Sequence, residues 1–181
     1  MYKTVLLSIV LSLSLYADAK KYVGVSFGTY SEKFTNKTNS SDTTSLTTLK
    51  VGYGDHKAYS IEFSLQQVKQ SSNNFSKADG NKYAFNVELI KAFDFDTFIN
   101  PFFKVGFGTG RVKLAQTTQN TLYSGSFNLA VGSYLPLTDS IDLEVGYNYR
   151  YISYEKFEEG SSAISYKSRT KIIYGGLNFR F

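Results

Sequence analysis

The chain has no cysteine and no tryptophan, and only one histidine, one methionine and two prolines in 181 residues. Without cysteine it can form neither a disulfide nor a thiolate metal site, so an exported form would be held by its core or by closure of a sheet. No apolar run reaches the ~20 residues that a membrane-spanning helix needs. The longest, Val5 to Leu15, has eleven residues. Mean hydropathy is −0.23 although 42% of residues are hydrophobic, so no helical span follows it. Aromatics are plentiful at 17%, all of them Tyr or Phe, alongside fourteen Gly. That balance, with little helix-favouring Ala, Leu or Glu, points to an all-β chain.

The first residues set the compartment. Met1-Tyr2-Lys3 is a short basic start, Val5–Leu15 is an apolar core broken only by Ser8, Ser12 and Ser14, and Ala17-Asp18-Ala19 is a small-x-small cleavage site. Together they read as a signal peptide removed after Ala19, which leaves residues 20–181 as one domain with the net charge still +5. No cysteine follows the small residues, so a lipid-anchored N-terminus is excluded.

Eight segments of strand length then alternate apolar with small or polar residues. One face of each reads Val23-Val25-Phe27, Leu49-Val51-Tyr53, Tyr59-Ile61-Phe63-Leu65, Tyr83-Phe85-Val87-Leu89, Phe103-Val105-Phe107, Phe127-Leu129-Val131, Ile141-Leu143-Val145-Tyr147-Tyr149-Tyr151 and Ile173-Gly175-Leu177-Phe179-Phe181. Period two is a strand signal that a helix cannot produce. Long polar connections near 34–45, 69–81, 112–124 and 156–168 alternate with short ones near 54–57, 94–100 and 138–140. An even strand count with that alternation describes an up-and-down transmembrane barrel with short periplasmic turns and long outside loops. Asn36-Lys37-Thr38 and Asn39-Ser40-Ser41 match glycosylation sequons by chance in such a loop.

The second face carries Gly, Ala, Ser and spaced charges, which suit the cramped interior of a narrow barrel rather than a wet exterior. Lipid would meet the apolar face, with Tyr53, Tyr59, Phe93, Phe102 and Phe179 forming a girdle near the short turns. Tyr30, Tyr83, Tyr149, Tyr151 and Tyr154 would form the outer girdle. A soluble lipocalin-like barrel, apolar inside, is the competing arrangement.

The chain ends Ile173-Tyr174-Gly175-Gly176-Leu177-Asn178-Phe179-Arg180-Phe181. A terminal Phe181, preceded by Phe179 and Leu177 at every second position, resembles the terminal-strand signature by which outer-membrane barrels are recognised for insertion. With strand number and length, it resembles the small eight-stranded family of the OmpA membrane domain, OmpX and the opacity-type proteins. The resemblance implies a bacterial outer-membrane location and a monomer without cofactor. It implies outer-membrane lipids, lipopolysaccharide and the barrel assembly machinery as partners; nucleic acid is not expected in that compartment, and because the sequence stops with the barrel, the peptidoglycan-binding domain that follows OmpA-type barrels is expected to be absent.

The inward face is expected to hold Lys50, Glu62, Glu88, Lys104, Asp142, Glu144, Arg150 and Arg180, four acids and four bases. A balanced set implies internal pairing, because an unpaired buried charge costs several kcal/mol. Arg150 and Arg180 are expected to pair with acids such as Glu62, Glu88 and Glu144. Either these pairs plug a solid barrel or they line a gated water path. An enzyme needs a base beside a nucleophile at the outer leaflet. His56 falls in a short turn, where it should be solvated, and the Asp142/Glu144 pair lies near the periplasmic end; neither supports catalysis. Lys33, Lys37, Lys69, Lys77, Lys82, Arg111, Lys113, Lys167, Arg169 and Lys171 form a basic outer rim, where lipopolysaccharide presents phosphates. Three functions stay open: a non-enzymatic surface barrel, a small-solute pore, and an outer-leaflet lipid-modifying enzyme.

Overall fold

The computed structural model describes residues 19–35, 41–69, 80–114, 121–159, 162–164 and 166–181. Ala17 of the expected cleavage site lies outside them, as do Asn36 and Asn39 of the two sequons; Ala19 is the first residue described.

Eight long strands close into one barrel: β1 (Lys20–Phe34), β2 (Ser41–Gly54), β3 (Tyr59–Val68), β4 (Lys82–Ala92), β5 (Asn100–Lys113), β6 (Thr121–Thr138), β7 (Ile141–Tyr154) and β10 (Lys167–Arg180). Two three-residue strands, β8 (Phe157–Glu159) and β9 (Ser162–Ile164), pair as a hairpin within the last long connection. All pairings are antiparallel, and β1 meets β10 to close the sheet. Crossing the ladder from Tyr22 through Gly52, Glu62, Glu88, Gly106, Asn128, Arg150 and Thr170 returns to β1 at Glu32, ten residues above the start. A stagger of that size inclines the strands by about 40° and leaves an interior that side chains can fill.

The strands run past the alternating segments. β2 begins at Ser41, β6 at Thr121 and β10 at Lys167, each inside a stretch expected to be loop. Ladder hydrogen bonds need no apolar alternation, and β-branched threonines such as Thr43 and Thr44 are good strand residues on either face. At the other end the turns are tight. Gly54 takes φ 143°, and Lys57 N–H donates to Asp55 Oδ1 at 2.8 Å. Asp96 at φ 54° donates its N–H to Asp94 Oδ1 at 3.0 Å. Both are side-chain-closed turns of the Asx kind. Lys57 Nζ and Asp94 Oδ2, 2.9 Å apart, tie these two turns together. That hydrogen bond raises the Lys57 pKa; it also lowers that of Asp94, with the Asp96 N–H adding to the effect.

The wall is inverted relative to a soluble protein. Phe27, Leu65, Phe107 and Ile173 are more than 60% exposed, while Lys50, Glu62, Lys104 and Glu144 are at most 4% exposed. An apolar band of this extent belongs in hydrocarbon, not in water. Three residues expected in the girdles point inward instead: Tyr30, Tyr154 and Phe102 are buried. Each sits on the inward parity of its strand, and parity overrides aromatic character. Tyr53, Tyr59, Phe93, Phe179, Tyr83 and Tyr151 do face outward.

Candidate functional site

The lumen is the one interior the fold provides, and it is filled in layers. At the short-turn end His56 folds back from its turn into the barrel mouth. Its ring stacks on Tyr134 (4.1 Å between centroids, 4° between planes) and meets the edge of Tyr22 at 4.6 Å. Nδ1 of His56 and Arg180 Nε lie 2.6 and 2.8 Å from the same oxygen of Asp142. His56 is therefore not a solvated turn residue; it is a buried stopper, held because Asp142 and two tyrosines form a box for it. Ile90, Ala92 and Phe102 pack beside Tyr134 in this layer.

Above it two bases interleave with two acids. Lys104 Nζ donates to Glu62 Oε1 at 3.0 Å and to Glu144 Oε1 at 2.9 Å. Lys50 donates to Glu144 and lies 3.9 Å from Glu62. Tyr22 O–H donates to Glu62 at 3.0 Å and Asn178 to Glu144 at 2.8 Å, adding a neutral donor to each carboxylate. Charges so far from water persist only when paired and hydrogen-bonded on every side.

Amides dominate the next level. Asn128 donates to Asn86 at 3.1 Å, and Asn128 and Asn148 both approach Glu88 at 3.4 Å. Arg150 donates from Nη1 to Gln66 at 2.8 Å. The expected partners of the two arginines are thus corrected: Arg180 takes Asp142, and Arg150 takes a neutral amide. Pairing depends on register and stagger, which place these residues at different heights. A polar cavity of about 20 Å³, bordered by Lys50, Glu62, Gln66, Glu88 and Asn148, remains between the charged and amide levels. That is room for roughly one water.

Toward the long-loop end comes a cluster that the sequence reading missed. Lys82, expected on the rim, points inward and pairs with Glu32 at 3.3 Å. It also donates to Tyr30 at 2.8 Å, while Tyr154 O–H donates to Glu32 at 2.6 Å. Both residues lie on inward parity near strand ends, a signal available from the alternation had it been extended beyond the apolar segments. Leu46, Val68 and Ile172 pack beside Tyr30, and Phe34, Val112, Leu122, Ile152 and Tyr154 close the barrel above as an apolar lid.

Glycines let the lumen rings lie against the wall. A Cβ on Gly52 would fall 2.2 Å from the Tyr22 ring, and one on Gly146 would fall 2.6 Å from that of Tyr174. No group of three His, Cys, Asp or Glu with metal-site geometry occurs among the described residues.

An eight-stranded antiparallel barrel with an apolar exterior and an ion-paired interior defines a small transmembrane β-barrel. The chain belongs to the family described as the outer membrane protein beta-barrel domain, whose model matches residues 4–181. It is accordingly a protein of the bacterial outer membrane. Neisserial surface protein A (NspA) is 17% identical, with 90% of this chain and 99% of that one covered and a TM-score of 0.71. Ail of Yersinia pestis is 15% identical over 89% and 99%, at a TM-score of 0.56. OprG of Pseudomonas aeruginosa is 12% identical over 90% and 95%, at 0.51. These likenesses concern the fold. No curated protein sequence matches significantly.

Proposed function

We propose that this protein is a sealed, non-enzymatic outer-membrane barrel whose role is structural and lies in surface contacts made by its long connections. The observation that carries this reading is the blocked lumen: a His56 stopper, a four-charge layer around Lys104, and an apolar lid at Phe34, Val112, Leu122 and Ile152. The cavity between the charged and amide levels has room for roughly one water. The buried groups with catalytic chemistry, His56 beside Asp142 and Ser168 beside Glu32, are closed off from substrate. The lumen charges, the eight expected ones together with Glu32 and Lys82, act in this reading as a structural network. Outside, the basic rim faces lipopolysaccharide, host surfaces or neighbouring cells; Ail has been solved with the heparin analogue sucrose octasulfate, a polyanion of the class such a rim would attract.

Single-channel recording on the reconstituted protein tests the seal: no stepwise conductance is expected, and open channels would favour the alternative of a small-solute pore. The small cavity beside Lys50 and Glu88 is the feature that favours that alternative. We extend the proposal to assembly. Leu177, Phe179 and Phe181 form the outward edge of the closing strand, and Phe181 exchanges backbone hydrogen bonds with Lys21 at 2.9 and 3.1 Å. Deleting Phe181 should reduce insertion while leaving export and cleavage after Ala19 intact; normal folded yield would remove this signal.

A further inference from the structure

Two shallow hollows lie side by side in the outward wall toward the long-loop end. One, of about 500 Å³, is lined by Leu49, Leu65 and Phe85; the other, of about 760 Å³, by Phe107, Phe127 and Tyr151. Thr109 and Tyr123 border both and form the ridge between them. Arg111 stands at the edge of the first hollow and Glu155, just past the end of β7, at the edge of the second.

Strand register explains the second hollow. Gly125 takes the outward place between Thr109 of β5 and Ser153 of β7. A Cβ on Gly125 would meet nothing within 4 Å, so the floor is open for want of a side chain. One step toward the middle of the wall, the ladder sets Phe107, Phe127 and Tyr151 in a row, with the two phenyl rings 5.4 Å apart. One step the other way, Arg111 stands opposite Tyr123, whose carbonyl accepts the Glu155 N–H at 2.9 Å. Three tiers result: charge of both signs about an exposed tyrosine, then short hydroxyls around a glycine, then aromatic rings.

The tiers define the ligand. Arg111 and Glu155 flank Tyr123 two strands apart, about 10 Å along the sheet. Neither takes part in an ion pair among the described residues. A headgroup carrying only negative charge would meet repulsion from Glu155. One carrying phosphate and ammonium satisfies both residues: the phosphate accepts from the guanidinium, and the ammonium lies over the Tyr123 ring and against the carboxylate. Two apolar hollows diverging from one polar ridge match two acyl chains leaving one headgroup, which a soluble zwitterion lacks.

We propose that the Thr109–Tyr123 ridge binds one zwitterionic diacyl phospholipid, its phosphate at Arg111, its ammonium at Tyr123 and Glu155, and one acyl chain in each hollow. The inference goes beyond the surface-contact reading and holds whichever leaflet the long connections face.

Native mass spectrometry can count and rank lipids retained by the barrel in nonionic detergent micelles. The probes are phosphatidylethanolamine, phosphatidylglycerol with the same acyl chains, and single-chain lysophosphatidylethanolamine. Wild type should retain one phosphatidylethanolamine, about tenfold more tightly than either other lipid. Arg111→Gln should weaken that binding by about tenfold. Glu155→Gln should bind the two diacyl lipids alike. Gly125→Leu, whose side chain enters open space and fills the second hollow, should hold the diacyl lipid no better than the single-chain one. Arg169→Gln, on another part of the wall, should change nothing. All four variants should keep the wild-type urea midpoint in vesicles; a lower midpoint for Arg111→Gln or Glu155→Gln would give these charges a structural role and overturn the site. Several exchangeable lipids in place of one, or equal wild-type affinity for the two diacyl headgroups, would also overturn it. So would undiminished headgroup selectivity in Glu155→Gln, or an intact diacyl preference in Gly125→Leu.

Discussion

Lys104 and Val105 are neighbours in the chain and live in opposite solvents. Lys104 is 2% exposed and donates to two carboxylates, whereas Val105 on the next position faces the lipid side of the same strand. The lumen is held by directional polar contacts between named partners, and the wall by apolar area that needs no partner in particular. Lumen positions should therefore be intolerant of single changes and coupled to one another, and wall positions tolerant of any apolar residue but not of charge.

The sharpest way to break that contrast is to remove one member of the charged layer. Glu144→Ala or Lys104→Ala should destabilise the barrel by about 3–5 kcal/mol, because the surviving partners stay buried and uncompensated. The double variant should lose less than the sum, measured by urea unfolding in vesicles. Additive losses would mean that the lumen charges do not act as a unit. On the wall, Leu129→Arg should cost about 2–4 kcal/mol near the bilayer midplane, and Leu129→Ile close to nothing. An unchanged unfolding midpoint for Leu129→Arg would reverse inside and outside.

A smaller effect is expected at the stopper. His56→Ala leaves Asp142 with Arg180 alone and removes the stack on Tyr134, for a loss of about 1–3 kcal/mol. His56→Phe keeps the stack without the hydrogen bond and should recover part of the loss; equal values for both would show that shape alone matters there.

The smallest effect belongs to the surface pair of the turns. Asp94 has a lowered pKa in the folded protein, so its contribution is present above the unfolded carboxylate pKa and fades as pH falls through the folded value. Lys57, with a raised pKa, keeps its contribution below the unfolded amine pKa and loses it only as pH rises through the folded value. Wild type and Asp94→Asn should therefore differ slightly at neutral pH and converge in acid. A surface pair of this kind contributes little either way.

The comparison also explains what could be read in advance. Period-two alternation is local, so strand number, facing and the inward position of the eight charges expected there followed from neighbouring residues alone, whereas Glu32 and Lys82, beyond the apolar segments, did not. Which charge meets which did not. Arg180 reaches Asp142 and Lys104 bridges Glu62 and Glu144 only because closure staggers the strands by ten residues, a property of the whole circle rather than of any segment. His56 was misread for a related reason: its turn is short and polar, and only the box of Tyr22, Tyr134 and Asp142, drawn from three other strands, pulls it inward. Tyr30, Phe102 and Tyr154 turn inward against the girdle expectation because strand parity, not aromatic character, sets the face.

The ten-residue stagger bears on how such a chain can change length over generations. Inserting a single residue within a strand would turn every side chain beyond it to the opposite face, sending Lys and Glu into lipid. Only a bulge, or a second change of the same size further along, would restore the phase. Connections between strands carry no such constraint, because no ladder fixes the face of their side chains. Descendants of this barrel should consequently vary freely in loop length, one residue at a time, while changes inside the strands accumulate in pairs.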